Sequence, residues 1–415
     1  MEKNIDKKYG TLIKVCLLAL TSLLLLIPLS MVEGVIEDRK ETKDAVVREV
    51  ANAYAGHQRI SPPRLTSYVN EVRETVGADN RKEKQICLEE YKRYSSRLDY
   101  MADVKTDVLH RSIYDVIVYN SHVQISGKFL VTDNEMRAKN IDFSLSVTDY
   151  KGFGNFSRLS FGGKSFELYR DSEYIKADVK LPEDAEIGDS IDFLLSFALK
   201  GTEALYFLPS GSGTTSLAIS SIYPHPSFQG DVLPEHREVG DNGFEAMWSV
   251  SDFNSSISDF MGVKFVDPSN PYQQSMRSAK YGILIVVLVF VAGLFVEFLT
   301  RKEINVVQYV VIGLSLILFY SLLLAFSEFM TFGIAYTIAA LMTTGALMFY
   351  FRAVLKSRFA YLLGGFVALV YALNYMLLQM ETYALLAGSL VLFLLLCVVM
   401  YLTANVDNNK LLKTE

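Results

Sequence analysis

The run "YGILIVVLVFVAGLFVEFL" (281–299) decides the broad class of this protein. It is apolar throughout except for Glu297, and its length of about 20 residues lets a helix cross about 30 Å of hydrocarbon. Five further runs in the 415-residue chain have the same character, which predicts an integral membrane protein with six helical spans. The predicted spans are 12–32, 281–299, 306–326, 329–351, 359–379 and 383–402.

The Lys and Arg content of the short loops predicts the orientation of the spans. Arg352, Lys356 and Arg358 share one loop, whereas 327–328 and 380–382 contain no Lys or Arg. We therefore expect the basic loop and both termini to be cytoplasmic. The first span is expected to be an uncleaved anchor, because "PLSMVEG" lacks the small-x-small pattern that signal peptidase prefers, although cleavage stays open.

The segment between the first two spans is long enough to bury a core of its own. The predicted organisation is a cytoplasmic N-terminus, an anchor, an external domain, a five-helix bundle and a cytoplasmic tail, at 1–11, 12–32, 33–279, 280–403 and 404–415. In a Gram-negative bacterium the external domain would be periplasmic. A net charge of −6 with both signs interspersed gives no indication of nucleic-acid binding, and three cysteines are too few for a disulfide framework.

Periodicity within the external segment predicts a helix followed by a mainly β domain. Residues 33–55 have apolar side chains at helical spacing, and Gly56 is placed to end that helix in a left-handed conformation. The charged stretch 61–105 is the least regular, and helix and a mobile insertion both stay open there. From about residue 113, alternating Val, Ile and Tyr with Gly- and Asn-containing turns favour an antiparallel β-sandwich.

The stretch "HPSFQGDVLP" (225–234) raises the question of a metal or acid–base site, since Asp231, Glu235 and His236 lie close to His225 in sequence. The spacing fits no compact ligand motif. We favour a structural or docking loop, stiffened by proline and anchored by aromatic residues, with a ligand-binding loop as a further alternative. The predicted loop residues are His225, Pro226, Phe228, Gly230, Pro234 and Trp248. We predict no catalytic residues, no cofactor and no metal, because zinc-helix, nucleophile-elbow and P-loop motifs are absent from the sequence.

Four features around the spans are candidates for packing and coupling. Glu297 precedes Arg301 by four residues, which favours an ion pair. Asn374 is expected to bond across helices, with the lining of a cavity as the alternative. The predicted link between the external domain and the membrane contains Asp267, Pro268, Pro271 and Tyr272, whose prolines suit a fixed domain pose. The predicted helix-packing stripe is Ala360, Gly364, Ala368 and Ala372.

Several long blocks resemble the CreD family of bacterial inner-membrane proteins. They include "MVEGVIEDRKETKDAVVREVA", "RSIYDVIVYNSHVQISGKF", "PHPSFQGDVLPEHREVGDNGFEAMWSVS" and "GVKFVDPSNPYQQSMRSAKYGIL", in the order of the family. The resemblance implies an inner-membrane location and a role in cell-envelope integrity or stress tolerance, without implying any catalytic residue. The segment "RISPPRLTSYVNEVRE" departs from the family pattern, which weakens the expectation of a first strand there.

These observations predict a non-enzymatic inner-membrane protein whose periplasmic domain binds an envelope component. Its expected partners are the lipid bilayer and either another envelope protein or a cell-wall or lipid component, with no nucleic acid. The alternative is a transporter or lipid-handling protein with a gating periplasmic domain, which would need a hydrophilic cavity lined by residues such as Asn374, Gln379, Tyr375 and Tyr320. The ligand, the direction of signalling and a homo-oligomeric state stay open.

Overall fold

The computed structural model describes residues 2–76, 82–156, 158–267, 270–300 and 302–379, and the single positions 389, 393, 397 and 400. The chain divides into two compact units, a helical unit of Met1–Thr42 with Ser269–Glu415 and a β unit of Lys43–Pro268. The helices are α1 Glu2–Leu24, α2 Leu26–Tyr54, α3 Asp133–Arg137, α4 Pro271–Lys280, α5 Gly282–Thr300, α6 Val306–Ser327, α7 Phe332–Leu355 and α8 Phe359–Gln379.

Five helical stretches in the described part of the chain are long and apolar enough to cross a membrane. They are Ile13–Tyr54, Gly282–Thr300, Val306–Ser327, Phe332–Leu355 and Phe359–Gln379. The predicted sixth span, 383–402, lies outside the described residues apart from four isolated positions. The predicted tail at 404–415 also lies outside them. The protein therefore combines at least these five apolar helices with a large, mainly β unit.

The first apolar run continues into a helix that reaches Tyr54. A one-residue break at Leu25 separates α1 from α2, and Pro28 explains it because proline lacks an N–H and its ring clashes with the carbonyl group four residues earlier. The prediction that Gly56 ends the helix in a left-handed conformation is wrong, since its φ is not positive. Instead, the Gly56 N–H donates to Asp149 Oδ2 at 3.0 Å, which leads the chain directly into the first strand.

The described residues of the β unit form three sheets of four, five and nine strands. Their strand orders are β1-β13-β18-β15, β10-β11-β6-β2-β3 and β16-β17-β14-β4-β5-β12-β8-β9, with β7 beside β12. The strands are β1 Gln58–Ile60, β2 Arg64–Val76, β3 Lys82–Tyr94, β4 Arg97–Arg111, β5 Tyr114–Leu130, β6 Asn140–Leu145, β7 Phe153–Phe156, β8 Leu159–Phe161, β9 Lys164–Phe166, β10 Tyr169–Asp171, β11 Tyr174–Val179, β12 Ser190–Thr202, β13 Ala204–Phe207, β14 Thr214–Ser221, β15 Pro226–Gly230, β16 His236–Gly240, β17 Gly243–Ser251 and β18 Met261–Phe265.

The inward-facing side chains of all three sheets form one hydrophobic core. Phe143 of the five-stranded sheet lies 6.2 Å from Phe129 and 5.4 Å from Phe193 of the nine-stranded sheet, measured between ring centroids. Phe207 brings the four-stranded sheet into the same core, with its ring 4.9 Å from that of Tyr100. Alternation along the strands produces this arrangement, because successive side chains point to opposite faces.

Two expectations about the β unit are wrong. The stretch 61–105 is not irregular, since its described residues form β2, β3 and most of β4, so the sheet begins well before residue 113. The many charged residues of this stretch concealed its strands from sequence reading, because β3 is an edge strand whose side chains need no continuous apolar face. The unit is also not a purely antiparallel two-sheet sandwich, because β1 pairs parallel to β13 and β4 pairs parallel to β14.

Candidate functional site

The predicted loop at 225–236 contains one edge strand, a linker and the first residue of a second edge strand. Pro226–Gly230 forms β15 at the edge of the four-stranded sheet, and His236–Gly240 forms β16 at the edge of the nine-stranded sheet. We call residues 225–240 the anchored segment. Pro226 is tolerated as the first residue of an edge strand, where it opposes Phe265, because an edge position does not require its missing N–H. The prediction of a loop is therefore corrected to a strand–linker–strand.

Aromatic residues hold the anchored segment on the core of the β unit. The Phe228 ring lies edge-on to Phe244 at 5.6 Å and to Trp248 at 5.8 Å, between centroids. Trp248 is 2% exposed, and its indole Nε1 donates to the backbone oxygen of Val232 at 3.2 Å. The linker of 231–235 is thus attached through both its main chain and its neighbouring side chains. Pro234 lies half-buried within this linker.

Gly230 and Asp231 fasten the start of the linker to the neighbouring chain. Gly230 has φ +131°, and a Cβ at this position would lie 2.1 Å from the Phe260 oxygen, so only glycine fits without strain. The Asp231 N–H donates to that oxygen at 2.9 Å, while Asp231 Oδ2 accepts from the Phe260 N–H at 3.1 Å. Asp231 therefore closes a reciprocal pair of bonds, which gives this carboxylate a structural role.

Both histidines of the anchored segment are exposed. His225 lies just before β15 of the four-stranded sheet, whereas His236 begins β16 of the nine-stranded sheet. The His225 ring stands edge-on to Tyr223 at 6.0 Å, whereas His236 opposes Met247 in the ladder of β16 and β17. Among the described residues, no group of three or more His, Cys, Asp or Glu side chains is arranged to hold a metal ion. The structure does not bring His225, Asp231, Glu235 and His236 together as a ligand set.

The anchored segment and the residues just before it expose apolar side chains to solvent. Ile222 is 68% exposed, Leu233 is 63% exposed and Val239 is 52% exposed. Single exposed apolar residues are common on protein surfaces. These three, however, fall within one stretch of 18 residues, and hydrogen bonds fix the linker in the middle of that stretch. Leu233 lies on the linker held by Trp248 and Asp231, and such a held apolar residue is suited to contact with a partner, because little conformational entropy remains to be lost on binding.

A pair of neighbouring carboxylates that the sequence did not indicate lies in the five-stranded sheet, with Asp142 half-buried and Asp178 exposed. Asp142 and Asp178 oppose each other on β6 and β11. Tyr68 donates to Asp142 at 3.3 Å, and Tyr169 donates to Asp178 at 2.8 Å. Burial raises the pKa of Asp142 above its ordinary value, and the neighbouring charge of Asp178 acts in the same direction, whereas the Tyr68 hydrogen bond and Lys176 oppose the rise.

The predicted link residues have defined places within their own units. In the β unit, Asp267 forms an ion pair with Lys43 at 3.1 Å. In the helical unit, Pro271 occupies the first turn of α4, which suits its fixed φ, and Tyr272 is buried with its hydroxyl 3.5 Å from Glu328. Pro268 lies outside the described residues, so the expected rigidity of the link stays a prediction.

Asn374 lies buried between helices in the helical unit. Its Nδ2 donates to Ser278 Oγ of α4 at 3.2 Å and to the Tyr336 hydroxyl of α7 at 3.1 Å. Tyr336 in turn donates to the backbone oxygen of Tyr371 at 2.8 Å. Asn374 thus joins α8 to two other helices through side-chain hydrogen bonds.

The stripe of small residues on α8 does not form one continuous contact. Ala360 and Gly364 are buried, and the Met348 side chain of α7 packs over Gly364, whereas Ala368 and Ala372 are exposed. The physical reason is the helical pitch. A four-residue step turns by about 400°, so a stripe of this period drifts by about 40° at each step away from the packed face.

Glu297 is paired across helices, with a partner that its sequence neighbours did not reveal. Its Oε2 lies 2.6 Å from Lys14 Nζ of α1, and its Oε1 accepts from the Tyr309 hydroxyl of α6 at 2.8 Å. The predicted partner, Arg301, lies outside the described residues. Lys14 is separated from Glu297 by 283 positions, so only the fold could bring the two together.

A family model described as "Inner membrane protein CreD" matches residues 10–409, nearly the whole chain. The chain belongs to the CreD family. It is 30% identical over 414 residues to "Inner membrane protein CreD" of Escherichia coli (strain K12), covering 93% of this chain and 91% of that protein. The CreD match is to an inner-membrane protein family and not to a known family of enzymes, and the five long apolar helices of this chain agree with a membrane protein.

Solved structures add nothing to the assignment of the chain to the CreD family. The M1 zinc metallopeptidase from Deinococcus radiodurans is 9% identical over 41% of this chain and 42% of its own, with a TM-score of 0.24. A two-domain M1 zinc metallopeptidase mutant bound to L-tryptophan is 8% identical over 45% of this chain and 53% of its own, with a TM-score of 0.22. Such low scores support no conclusion about fold or chemistry for this CreD-family chain.

Proposed function

We propose that this protein crosses the inner membrane six times, with both termini in the cytoplasm and the β unit in the periplasm. The five apolar helices and the further apolar run at 383–402 support the number of spans. The orientation is supported by the loop between α7 and α8, which contains Lys356 and Arg358, and by the loop between α6 and α7, which contains no Lys or Arg.

Single-cysteine labelling tests this topology in intact cells. The three native cysteines are first replaced, and Phe253→Cys, at a position 97% exposed in the β unit, is compared with Ser357→Cys in the basic loop. A maleimide that cannot cross the inner membrane should label Phe253→Cys before lysis and Ser357→Cys only after lysis. Equal labelling before lysis, or the reverse order, would contradict the proposed orientation.

The function that we propose is non-enzymatic support of cell-envelope integrity or the envelope stress response, through binding of an envelope component by the β unit. The observation that carries this proposal is the anchored segment, in which exposed Leu233 lies on a linker held by Trp248 and Asp231. Membership of an inner-membrane protein family agrees with it. The partner would be another envelope protein or a cell-wall or lipid component that presents a complementary apolar surface.

Photocrosslinking in living cells tests the binding surface. A photoreactive amino acid replaces Leu233, and the matched control replaces Ile187, which is equally apolar and 63% exposed but lies elsewhere in the β unit. We expect a discrete crosslinked species from position 233 and none from position 187. Leu233→Asp should also impair envelope integrity, measured as detergent sensitivity, whereas Ile187→Asp should not. Equal behaviour of the two positions would contradict the proposal.

The second candidate is a transporter or lipid-handling protein with a gating periplasmic domain. The buried polar side chains of Asn374 and Tyr320 in the helical unit favour it, whereas Tyr375 is half-buried and Gln379 is exposed. Under this alternative, cells that produce Asn374→Leu should lose envelope integrity, measured as detergent sensitivity, while the variant still accumulates and folds. A folded Asn374→Leu variant with normal envelope integrity would favour the binding function.

A further inference from the structure

One end of the helical unit contains a group of buried, uncharged polar side chains, which we call the hydroxyl cluster. Its members are Ser275 and Ser278 of α4, Tyr320 of α6, Tyr336 of α7, and Tyr371 and Asn374 of α8. Tyr336 lies about 6 Å along α7 from its start, and Asn374 lies about 7.5 Å from the end of α8, at 1.5 Å per residue. The cluster is therefore inside the apolar helices but close to one end of them.

Half of this cluster is satisfied by direct hydrogen bonds. Asn374 donates to both Ser278 and Tyr336, at 3.2 and 3.1 Å, and Tyr336 donates to the Tyr371 carbonyl oxygen at 2.8 Å. These bonds connect α4, α7 and α8. The polar side chains of Asn374, Ser278 and Tyr336 therefore each have a hydrogen-bond partner within the helical unit.

The other half of the cluster has no such partner. The hydroxyl oxygens of Tyr320, Tyr371 and Ser275 are buried and form no hydrogen bond with any described residue. Each of these residues is only 1% exposed, so bulk solvent cannot satisfy them. A buried hydroxyl without a partner is costly and rare, and a bound water molecule is a common reason for one.

The unpartnered tyrosine hydroxyls belong to the same neighbourhood. The Phe319 ring packs close to all three tyrosine rings, with centroid distances of 5.0 Å to Tyr320, 5.2 Å to Tyr336 and 4.3 Å to Tyr371. The Tyr336 hydroxyl also reaches the backbone oxygen of Tyr371, so the three tyrosines form one contact group. A small molecule placed among them would therefore meet several hydrogen-bonding groups at once.

We propose that the hydroxyl cluster is an internal hydration site, in which bound water is shared by the hydroxyls of Tyr320 and Tyr371 and lies beneath α4. All six side chains are uncharged, which suits a neutral guest over an ion, and a hydroxyl both donates and accepts, as water does. Ser275 is buried three residues before Ser278 on α4, so the two serines lie on one face of that helix. A water molecule needs two to four polar partners to be held in a buried site, and the cluster provides them.

Radiolytic footprinting on the full-length protein in nanodiscs tests the presence of water directly. Hydroxyl radicals generated from bound water modify adjacent side chains even where bulk solvent has no access. We expect Tyr320 and Tyr371 to be modified well above Tyr309, which is also 1% exposed but is hydrogen-bonded to Glu297. Modification of Tyr320 and Tyr371 no greater than that of Tyr309 overturns the proposal.

Phenylalanine substitutions provide a second, independent measurement. Tyr320→Phe and Tyr371→Phe should each lower the unfolding midpoint by about 2–4 °C, since each removes one hydrogen bond to water. The double variant should lose less than the sum, because both hydroxyls contact the same water. Exposed Tyr361→Phe is the control and should leave the midpoint unchanged. Unchanged or raised midpoints in both single variants, or strictly additive losses, overturn the shared site.

Discussion

The indole N–H of Trp248 donates to the carbonyl oxygen of Val232 across 3.2 Å, and this bond ties the linker between two edge strands to the core. Trp248→Phe removes the donor and leaves the carbonyl group to find another partner. We expect the free energy of unfolding to fall by about 1–3 kcal/mol. Hydrogen–deuterium exchange should also speed up at the Glu235 amide, which donates to Met247. Met247→Leu, at a 52% exposed position on the same strand, is the control.

Gly230→Ala should destabilise the protein by at least about 2 kcal/mol, because the backbone conformation is unfavourable for alanine and its Cβ would meet the Phe260 oxygen. Gly240→Ala is the matched control. Gly240 lies in the same segment, but its φ is not in the left-handed range and a Cβ there meets no atom within 4 Å. Thermal unfolding of the full chain compares the two variants, and equal midpoints would contradict the strain argument.

The raised pKa of Asp142 predicts how stability depends on pH. The folded carboxyl holds its proton more tightly than the unfolded one, so the charged form costs stability at neutral pH. That cost diminishes as pH falls through the folded pKa and is gone below the unfolded value of about 4. Asp142→Asn should therefore be more stable than wild type at pH 7, and the difference should shrink on acidification.

Breaking the ion pair between Lys14 and Glu297 should destabilise the helical unit. Glu297→Ala removes the acceptor of both Lys14 and Tyr309, and we expect a loss of about 1–3 kcal/mol, because the pair is largely shielded from solvent. Lys40→Ala, which breaks the exposed pair with Glu37, should cost less than about 1 kcal/mol. Unfolding in detergent measures both. The ion-pair interpretation would be wrong if Glu297→Ala behaved like Lys40→Ala.

Replacing both histidines of the anchored segment should leave the fold intact. His225 and His236 are exposed, and their side chains are not assembled into a ligand set with Asp231 and Glu235. The double variant His225→Ala/His236→Ala should unfold within about 0.5 kcal/mol of wild type. Its metal content by mass spectrometry should equal that of wild type, and a loss of bound metal in the variant would contradict this expectation.

Sequence periodicity located the apolar helices well, because long uncharged runs have few other stable structures. The predicted span 359–379 coincides with α8, and 306–326 differs from α6 by one residue. The helix predicted over 33–55 ends one residue beyond the end of α2. Local composition determines such elements, so they can be read without knowledge of the fold.

Elements that depend on distant partners could not be read in this way. Strand β3, "KEKQICLEEYKRY", has no apolar alternation, since it borders solvent and pairs only with β2. Strand β4 pairs parallel to β14, more than 100 positions away, and Glu297 pairs with Lys14 across 283 positions. The aromatic anchor was visible as Phe228, Phe244 and Trp248, but its division between two sheets was not.

The placement of β15 and β16 at two sheet edges has a consequence for solubility. A bare edge strand is a template on which another chain can add a strand and begin an aggregate. Pro226 lacks an N–H with which to pair, Gly230 departs from regular strand geometry, and the charges of Arg237 and Glu238 oppose close stacking. The same short segment thus protects two open edges against self-association, so hydrophobic substitutions in it would threaten the solubility of the β unit before its folding.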